Sequence, residues 1–394
     1  MSTPKYTLLI GQNSLSEYNA YSVFFPDFAQ GPSLYLNSFI DPPTYHPFCC
    51  SSESDCLSYL SSENNWQGTL SPTTLETGTW TEPPSYAQLA LYLTPPNEAD
   101  WSAMMSCLTA TDSPFLVTLG TYLANTTQRG VTYLVRLGYE LCYNPDGSHG
   151  PDCAYSKVYD LDTYVQAYTN AQSLLRAAFP GMPELIQVVV HTLGAGMAQA
   201  FHGAFERNNA KMDLFGQSGF NTATSSQSAP NMPNNFSVNE EEFGYALAHG
   251  IPRMWCETGV QPGQPYEGSL EFLAETATRY SLDYFVYINS ASIGGGIPES
   301  SLIQDMNQTM QDFWINYTMD HAVPGCCPGN DGGLGPIPGW NLPTALIVCA
   351  AVAVALMLCW LLRKLSSSAS PSLVSESDPC SSRSEEDEEA GFNE

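Results

Sequence analysis

The sequence predicts an α/β fold: a (β/α)8 TIM barrel, followed by a single transmembrane helix and a disordered acidic tail. Short apolar runs rich in β-branched and aromatic residues recur through the chain, and the last five of them alternate with helical patterns. Strands that alternate with helices form a parallel sheet with right-handed crossovers. Eight strands over about 320 residues, without a Gly-rich phosphate loop, favour a closed barrel over a doubly wound sheet. An uncharged apolar run near the C-terminus predicts the membrane helix.

The predicted elements follow in chain order. The eight strands are residues 6–12, 33–40, 86–93, 132–141, 186–192, 212–218, 252–258 and 284–290. Long loops rich in Pro, Ser and Cys interrupt the first three units. The clearest helical patterns cover 162–179, which Asp162 caps and Pro180 ends, and 269–280.

The charge balance excludes several classes of partner. The chain has 12 Lys and Arg against 40 Asp and Glu, a net charge of −28. A nucleic-acid binder needs a basic patch for phosphates, so no nucleic-acid partner is expected. Anionic membrane surfaces and acidic substrates are disfavoured for the same reason, and neutral ligands such as sugars are compatible with the composition.

Residues 342–362 are 21 in number and carry no charge, which is enough to span a lipid bilayer as a helix. A buried core helix is the alternative. Arg363 and Lys364 follow at once, so the positive-inside rule places the C-terminus in the cytosol and residues 1–341 outside or in a lumen. The predicted organisation is a barrel over 1–325, a Cys/Gly/Pro-rich linker over 326–341, the helix over 342–362 and a cytosolic Ser-rich acidic tail over 363–394.

The N-terminus and the cysteines point to different compartments. The apolar run from Tyr6 to Ile10 is too short for a signal peptide. A missing first exon, a mature start or a tail-anchored protein with a cytosolic body would each explain it. Nine cysteines precede residue 342, mostly in loop-like surroundings that are typical of disulfides, and Cys142 and Cys153 could close a loop. Nine is odd, so at least one thiol should be free. The four N-glycosylation sequons are about as many as chance provides. No C-x-x-C motif occurs and the histidines are scattered, so neither a metal nor a cofactor is expected.

Two glutamates stand where a barrel places its active site, at the C-terminal ends of strands. Glu140 ends the fourth predicted strand and Glu257 ends the seventh. Two-residue alternation places Arg136 on the face of Glu140, and Arg253 and Trp255 on the face of Glu257. Two carboxyls across a barrel mouth are what glycoside hydrolysis requires. In the alternative interpretation, each Glu pairs with an Arg or caps the next helix.

The motifs YLVRLGYE (133–140) and IPRMWCETG (251–259) resemble the fourth and seventh strands of the large clan of retaining (β/α)8 glycoside hydrolases. The pattern is most similar to glycoside hydrolase family 26, the β-mannanase-like group: Arg136 precedes Glu140 by four residues, Gly11-Gln12 ends the first strand, and the run from Asp213 to Gly216 precedes Phe220. The resemblance implies that Glu140 is the acid/base and Glu257 the nucleophile. It further implies a retaining double displacement on a neutral β-linked polysaccharide or oligosaccharide.

The sequence also departs from that family. Tyr139 stands where the family usually has His, the His and Asn expected after the third strand are missing from 91–97, and the eighth strand lacks a stacking Trp. The residues expected to bind substrate are Gln12, Arg136, Tyr139, Asn144, Gln217, Phe220, Tyr287 and Asn289. Trp255 is expected in the barrel core, and His191 and His202 in structural roles. A catalytically inactive barrel that binds glycan as a receptor or adhesin, and a tail-anchored interaction protein, are the alternative functions. Neither the sugar and linkage nor the oligomeric state can be inferred.

Overall fold

The structure is a computed structural model, and its described residues belong to the first of two compact units, Met1–Pro328 and Gly329–Glu394. It describes residues 5–11, 14–24, 30–36, 47–62, 65–66, 70–80, 84–93, 95, 97–126, 130–143, 156–221, 232–260, 266–288, 308, 311–312, 314–316 and 322. The predicted linker, membrane helix and tail lie outside these residues. Within them, no helix is both long and apolar enough to cross a membrane.

Eight parallel strands close into a barrel, which confirms the barrel part of the predicted fold. They are β1 (Thr7–Gly11), β2 (Pro32–Leu36), β3 (Tyr86–Leu91), β4 (Thr132–Leu137), β5 (Ile186–Thr192), β6 (Leu214–Asn221), β7 (Arg253–Val260) and β8 (Tyr284–Ile288). Each strand pairs with the next one, and β8 pairs with β1 from Thr7↔Tyr284 to Gly11↔Ile288. Two short strands, Leu141–Cys142 and Ser156–Lys157, pair beside the end of β5.

Helices connect the strands. They are α1 (Leu15–Phe24), α2 (Glu53–Ser61), α3 (Pro72–Thr77), α4 (Glu98–Thr109), α5 (Pro114–Asn125), α6 (Leu161–Ala177), α7 (Met197–Arg207), α8 (Met232–Ala248) and α9 (Tyr266–Arg279), with 3-10 turns at Pro47–Cys49 and Pro183–Leu185. The cap of α6 differs from the prediction: Asp160 is the N-cap and accepts from the backbone N–H of Asp162, which lies in the first turn. An oxygen acceptor at this position satisfies one of the free N–H groups of the first turn.

The strands alternate between two apolar layers. One layer fills the barrel: Leu9, Leu134, Val189, Leu214, Met254, Cys256, Tyr284, Val286 and Ile288. The residues between them, such as Leu8, Val135, Val188 and Phe285, pack against the helices. Trp255 belongs to this outer layer, where its ring meets Phe243 edge-on and its Nε1 donates to the carbonyl of Leu273. Trp255 is therefore core, as expected.

Disulfides secure the long connection after β2. Cys49 is bonded to Cys107 of α4, and Cys50 to Cys56 of α2. Cys142 is also disulfide-bonded. The predicted pairing of Cys142 with Cys153 involves a position outside the described residues. Cys256 is a free, buried thiol, consistent with the expectation of an unpaired cysteine.

Candidate active site

The barrel interior changes from apolar to polar toward the C-terminal ends of the strands. The transition begins at Gln88, whose Oε1 accepts from Ser33 Oγ at 2.7 Å and whose Nε2 donates to the carbonyl of Cys256 at 2.9 Å. Above it the inward side chains are Arg136, His191, Ser218 and Glu257, all buried. Burying charged groups is costly unless they are paired, and such clusters mark functional sites.

A β-bulge places Glu257 in this interior. Gln217 of β6 is paired with Trp255, but the next residue, Ser218, is paired with Glu257, so β7 carries one extra residue. The pairing of β7 with β8 shifts at the same place. A bulge interrupts the two-residue alternation and re-aims the side chain. The expectation that Glu257 shares a face with Trp255 is therefore wrong: Trp255 faces the helices and Glu257 faces the barrel axis.

A turn in the left-handed region places Glu140. Strand β4 ends at Leu137, so Glu140 follows the strand instead of closing it. Gly138 has φ 104° and Glu140 has φ 48°. A Cβ on Gly138 would lie 2.4 Å from Cδ2 of Leu141, so only glycine fits there. A non-glycine residue at positive φ costs roughly 1–3 kcal/mol, a strain that is concentrated at functional sites.

One cation and two hydroxyl groups contact the carboxyl of Glu257. Its Oε1 forms an ion pair with Nη1 of Arg136 at 2.7 Å, and its Oε2 accepts from the hydroxyl of Tyr139 at 3.0 Å. Tyr35 also hydrogen-bonds to this carboxylate. Burial, and then the charge of Glu257, raise the pKa of both tyrosines well above the ordinary value, so the phenols stay protonated and donate. The pairing with an Arg that the alternative interpretation expects is thus present at Glu257.

Arg136 is a permanent cation at the centre of the site. Its guanidinium lies 5.3 Å from the ring centroid of Tyr35 and 5.5 Å from that of Tyr139, within cation–π distance. Burial alone would lower the pKa of Arg136, but the adjacent Glu257 carboxylate reverses this and raises the pKa above its ordinary value.

The environment of Glu140 favours the protonated carboxyl. Burial, followed by the negative charge of Glu257, raises the pKa of Glu140 from 4.5 to about 7; a hydrogen bond from Ser218 and the charge of Arg136 oppose the rise. Among the described residues it makes no ion pair. A buried carboxyl with a raised pKa is the kind of group that can donate a proton near neutral pH.

The sequence analysis missed three members of this cluster: Tyr35, Tyr92 and Ser218. Tyr92 follows β3 and stacks on Tyr139 with 4.5 Å between ring centroids. His191, expected to be structural, lies within the cluster, where its Nε2 is 2.8 Å from Oγ of Ser218. Tyr35, His191 and Ser218 lie at inward positions near the ends of their strands. Alternation counted from the apolar interior could have identified these three.

Other expected substrate-binding residues are not brought to the carboxyl pair. Gln217 faces outward, where its Nε2 donates to Oγ1 of Thr192 at 2.6 Å. Tyr287 lies in the outer layer, 4.9 Å from the ring of Trp314. In both cases the two-residue alternation of the strand turns the side chain outward, away from the expected site. Phe220 is described only as part of β6, and Gln12, Asn144 and Asn289 lie outside the described residues.

Asp213, part of the motif that resembles family 26, lies at the opposite end of the barrel. It begins the approach to β6, forms an ion pair with Arg176 at 2.5 Å and accepts from the backbone N–H of Val188 at 2.9 Å. Its role is therefore structural. In the described ranges, no three His, Cys, Asp or Glu side chains converge as metal ligands.

No family model and no curated protein matches the chain. Solved structures similar to it include the catalytic domain of a GH26 endo-β-1,4-mannanase from Bacillus sp. JAMB-750, with 11% identity over 82% of this chain and 88% of that chain and a TM-score of 0.47. A GH26 β-mannanase from Bacteroides ovatus has 10% identity over 84% and 94%, with a TM-score of 0.48. A β-mannanase from Streptomyces thermolilacinus with mannohexaose has 12% identity over 83% and 93%, with a TM-score of 0.44. These TM-scores are below 0.5, so the fold assignment rests on the strand pairing and the functional argument on the residues of the site.

Proposed function

We propose that the protein is a glycoside hydrolase that cleaves a neutral β-linked polysaccharide by a retaining double displacement, with Glu140 as acid/base and Glu257 as nucleophile. One observation carries the proposal. Two buried glutamates from β4 and β7 meet at the same mouth of the barrel in opposite electrostatic environments.

The contacts support the following division of the two steps. In the first step, Oε1 or Oε2 of Glu257 forms a bond to the anomeric carbon while the glycosidic C–O bond breaks, and Glu140 gives its proton to the leaving oxygen. In the second step, Glu140 takes a proton from water, the water oxygen bonds to the anomeric carbon, and Glu257 leaves as a carboxylate. Arg136 and Tyr139 hold Glu257 in place for attack and stabilise it when it leaves.

The substrate class follows from charge. A chain with net charge −28 repels polyanionic glycans, whereas a neutral polysaccharide needs only hydrogen-bond donors and aromatic surfaces. Tyr92, which is partly exposed and stacks on Tyr139 beside the carboxyls, offers such a side chain.

We further propose that residues 342–362 anchor the protein in a bilayer, with the barrel outside the cell or in a lumen. The uncharged run and the following Arg363 and Lys364 support this orientation. The disulfides Cys49–Cys107 and Cys50–Cys56 also support it, because disulfides persist in oxidising compartments.

The function is tested by turnover on neutral β-linked polysaccharides and on activated aryl glycosides of the same sugars. Glu257→Gln should abolish turnover on both. Glu140→Gln should lose about 10²–10⁴-fold on the polysaccharide and retain its first step on the aryl glycoside, whose leaving group needs no proton. Glu242→Gln is the matched control, because Glu242 is buried but bonds the backbone N–H groups of Gly196 and Ala198. Equal loss in both Glu140→Gln assays would contradict the assigned roles.

One observation favours a second candidate, a non-catalytic glycan-binding barrel. Glu257 is only 1% exposed and is already in an ion pair, which lowers its nucleophilicity. In that case the wild-type protein would bind a glycan without turning it over, and Glu257→Gln would leave its affinity for that glycan within about twofold.

A further inference from the structure

A chain of contacts connects four buried residues in the order Arg136, His191, Ser218 and Glu140. Nδ1 of His191 lies 3.2 Å from Nη1 of Arg136 and 3.4 Å from the backbone nitrogen of Glu140. Its Nε2 lies 2.8 Å from Oγ of Ser218. The Ser218 side chain is in turn hydrogen-bonded to the carboxyl of Glu140. The same Nη1 of Arg136 pairs with Glu257, so the chain of contacts joins both glutamates.

The donors along this chain of contacts have one consistent direction. A guanidinium and a backbone N–H can only donate, so Nδ1 of His191 must accept. The imidazole proton therefore lies on Nε2 and is donated to Ser218, which leaves the serine hydroxyl proton for an oxygen of Glu140. Burial and the neighbouring charge of Arg136 lower the pKa of His191 well below its ordinary value, so the ring is neutral and holds this tautomer.

We infer that His191 and Ser218 are positioning residues of the reaction: they orient the carboxyl of Glu140 and stabilise its ionised form through a one-way relay from Arg136. The inference rests on the proposed function of the glutamate pair. When Glu140 has given up its proton, the hydroxyl of Ser218 already points at the new carboxylate. When Glu257 has bonded to the sugar and lost its charge, Arg136 still contacts His191.

Several titratable groups act on Glu140 in addition to this relay. They are Arg136 and Tyr139 of its own segment, Tyr92 after β3, His191 of β5, and Cys256 and Glu257 of β7. The thiol of Cys256 stays protonated because burial raises its pKa. The charges that remain are those of Arg136 and Glu257, and neither is changed by substitution of Ser218.

The test is a titration of the Glu140 carboxyl itself. The full-length chain is labelled with ¹³C at the glutamate carboxyls, and the Glu140 signal is identified by its loss in Glu140→Gln. Ser218→Ala removes a hydrogen bond to the ionised form and should raise the apparent pKa of Glu140 by up to about one unit. His191→Phe keeps the ring but not its nitrogens and should cause a smaller rise. Combining the two substitutions should add nothing to Ser218→Ala, because His191 acts through Ser218.

Ser33→Ala is the matched control, because Ser33 is another buried serine in the same barrel and its hydroxyl is bonded to Gln88. It should leave the titration of Glu140 unchanged. In kinetics, the alkaline limb of kcat/KM on a substrate with a poor leaving group should move upward in Ser218→Ala by the same amount as the titration. The first step on an activated aryl glycoside should show no such shift.

The inference is overturned if Ser218→Ala leaves the titration of Glu140 unchanged, if Ser33→Ala shifts it equally, or if the two relay substitutions are additive. Because the titration needs no substrate, it decides the relay even if the wild-type protein has no turnover. Absence of turnover would end the proposed function alone, and an unshifted titration would end the relay alone.

Discussion

Glu140 shows how a single position couples burial to pH. Its pKa is raised above 4.5 to about 7, chiefly by burial and then by the charge of Glu257. The folded state therefore binds a proton that the unfolded chain releases between these two pH values. The stability that this group contributes is fully present below about pH 4.5 and is lost as the pH rises through about 7, with a limit of roughly 3 kcal/mol.

Glu140→Gln should remove this dependence. Between pH 5 and pH 8 the free energy of unfolding of the wild type should fall by roughly 2–3 kcal/mol more than that of the variant, because the variant has no carboxyl to ionise in the barrel. Urea unfolding of the purified chain, followed by tryptophan fluorescence at both pH values, measures the difference. Glu184→Gln, at an exposed glutamate, should behave as the wild type. Parallel pH curves for the wild type and Glu140→Gln would show that Glu140 ionises normally.

At the scale of elements, the site depends on two local departures from regular strand geometry. The turn through Gly138 brings Glu140 back over the barrel, and the bulge in β7 turns Glu257 inward. Without the bulge Glu257 would face outward with Trp255, because neighbouring side chains of a regular strand point to opposite faces. Glu140 has the same parity as Arg136, and the turn at Gly138 sets its backbone beyond the end of β4. Irregular backbone on a regular scaffold thus places the two glutamates.

Gly138→Ala should disrupt the first of these devices. The added Cβ would meet Leu141 at 2.4 Å in a backbone with φ 104°, so we expect a loss of roughly 1–3 kcal/mol of stability and at least a tenfold loss of turnover. Gly203→Ala is the control, because Gly203 lies inside α7 with its nearest neighbour 3.8 Å from an added Cβ. It should be neutral or stabilise by up to about 1 kcal/mol. Thermal unfolding and turnover compare the two, and an unaffected Gly138→Ala would show that this turn can adjust.

The same departures mark the limit of what the sequence predicts. The strands are predicted from short apolar runs, because a strand of a packed barrel is buried on both faces. The end of β4 and the bulge of β7 are not predicted. The run from Met254 to Glu257 has the composition of a regular strand, and its extra residue is visible only in the pairing with β6 and β8. Gln217 and Tyr287 are predicted in the site because they lie near the C-terminal ends of their strands. Which face a strand residue occupies depends instead on the two-residue alternation, and both residues face outward.

At the scale of the whole barrel, the two ends have different tasks. At the N-terminal ends of the strands, carboxylates hold backbone: Asp213 accepts from the N–H of Val188, and Asp283 accepts from the N–H of Arg253. At the C-terminal ends, the carboxyls of Glu140 and Glu257 contact side chains. This division, with stability at one end and chemistry at the other, is general in such barrels.

The disulfide Cys49–Cys107, which joins residues 58 positions apart, favours an oxidising compartment. We expect sealed membrane vesicles to protect residues 1–341 from added protease, because the uncharged run 342–362 and the following Arg363 and Lys364 favour a lumenal body. The acidic tail should be removed, and mass spectrometry of the released peptides should find only sequences beyond residue 362. Detergent should then expose the body, and its peptides around Cys49 and Cys107 should remain joined until a reductant is added. Release of body peptides from intact vesicles would place the barrel in the cytosol, where glutathione and thioredoxin keep thiols reduced, and would overturn the lumenal proposal.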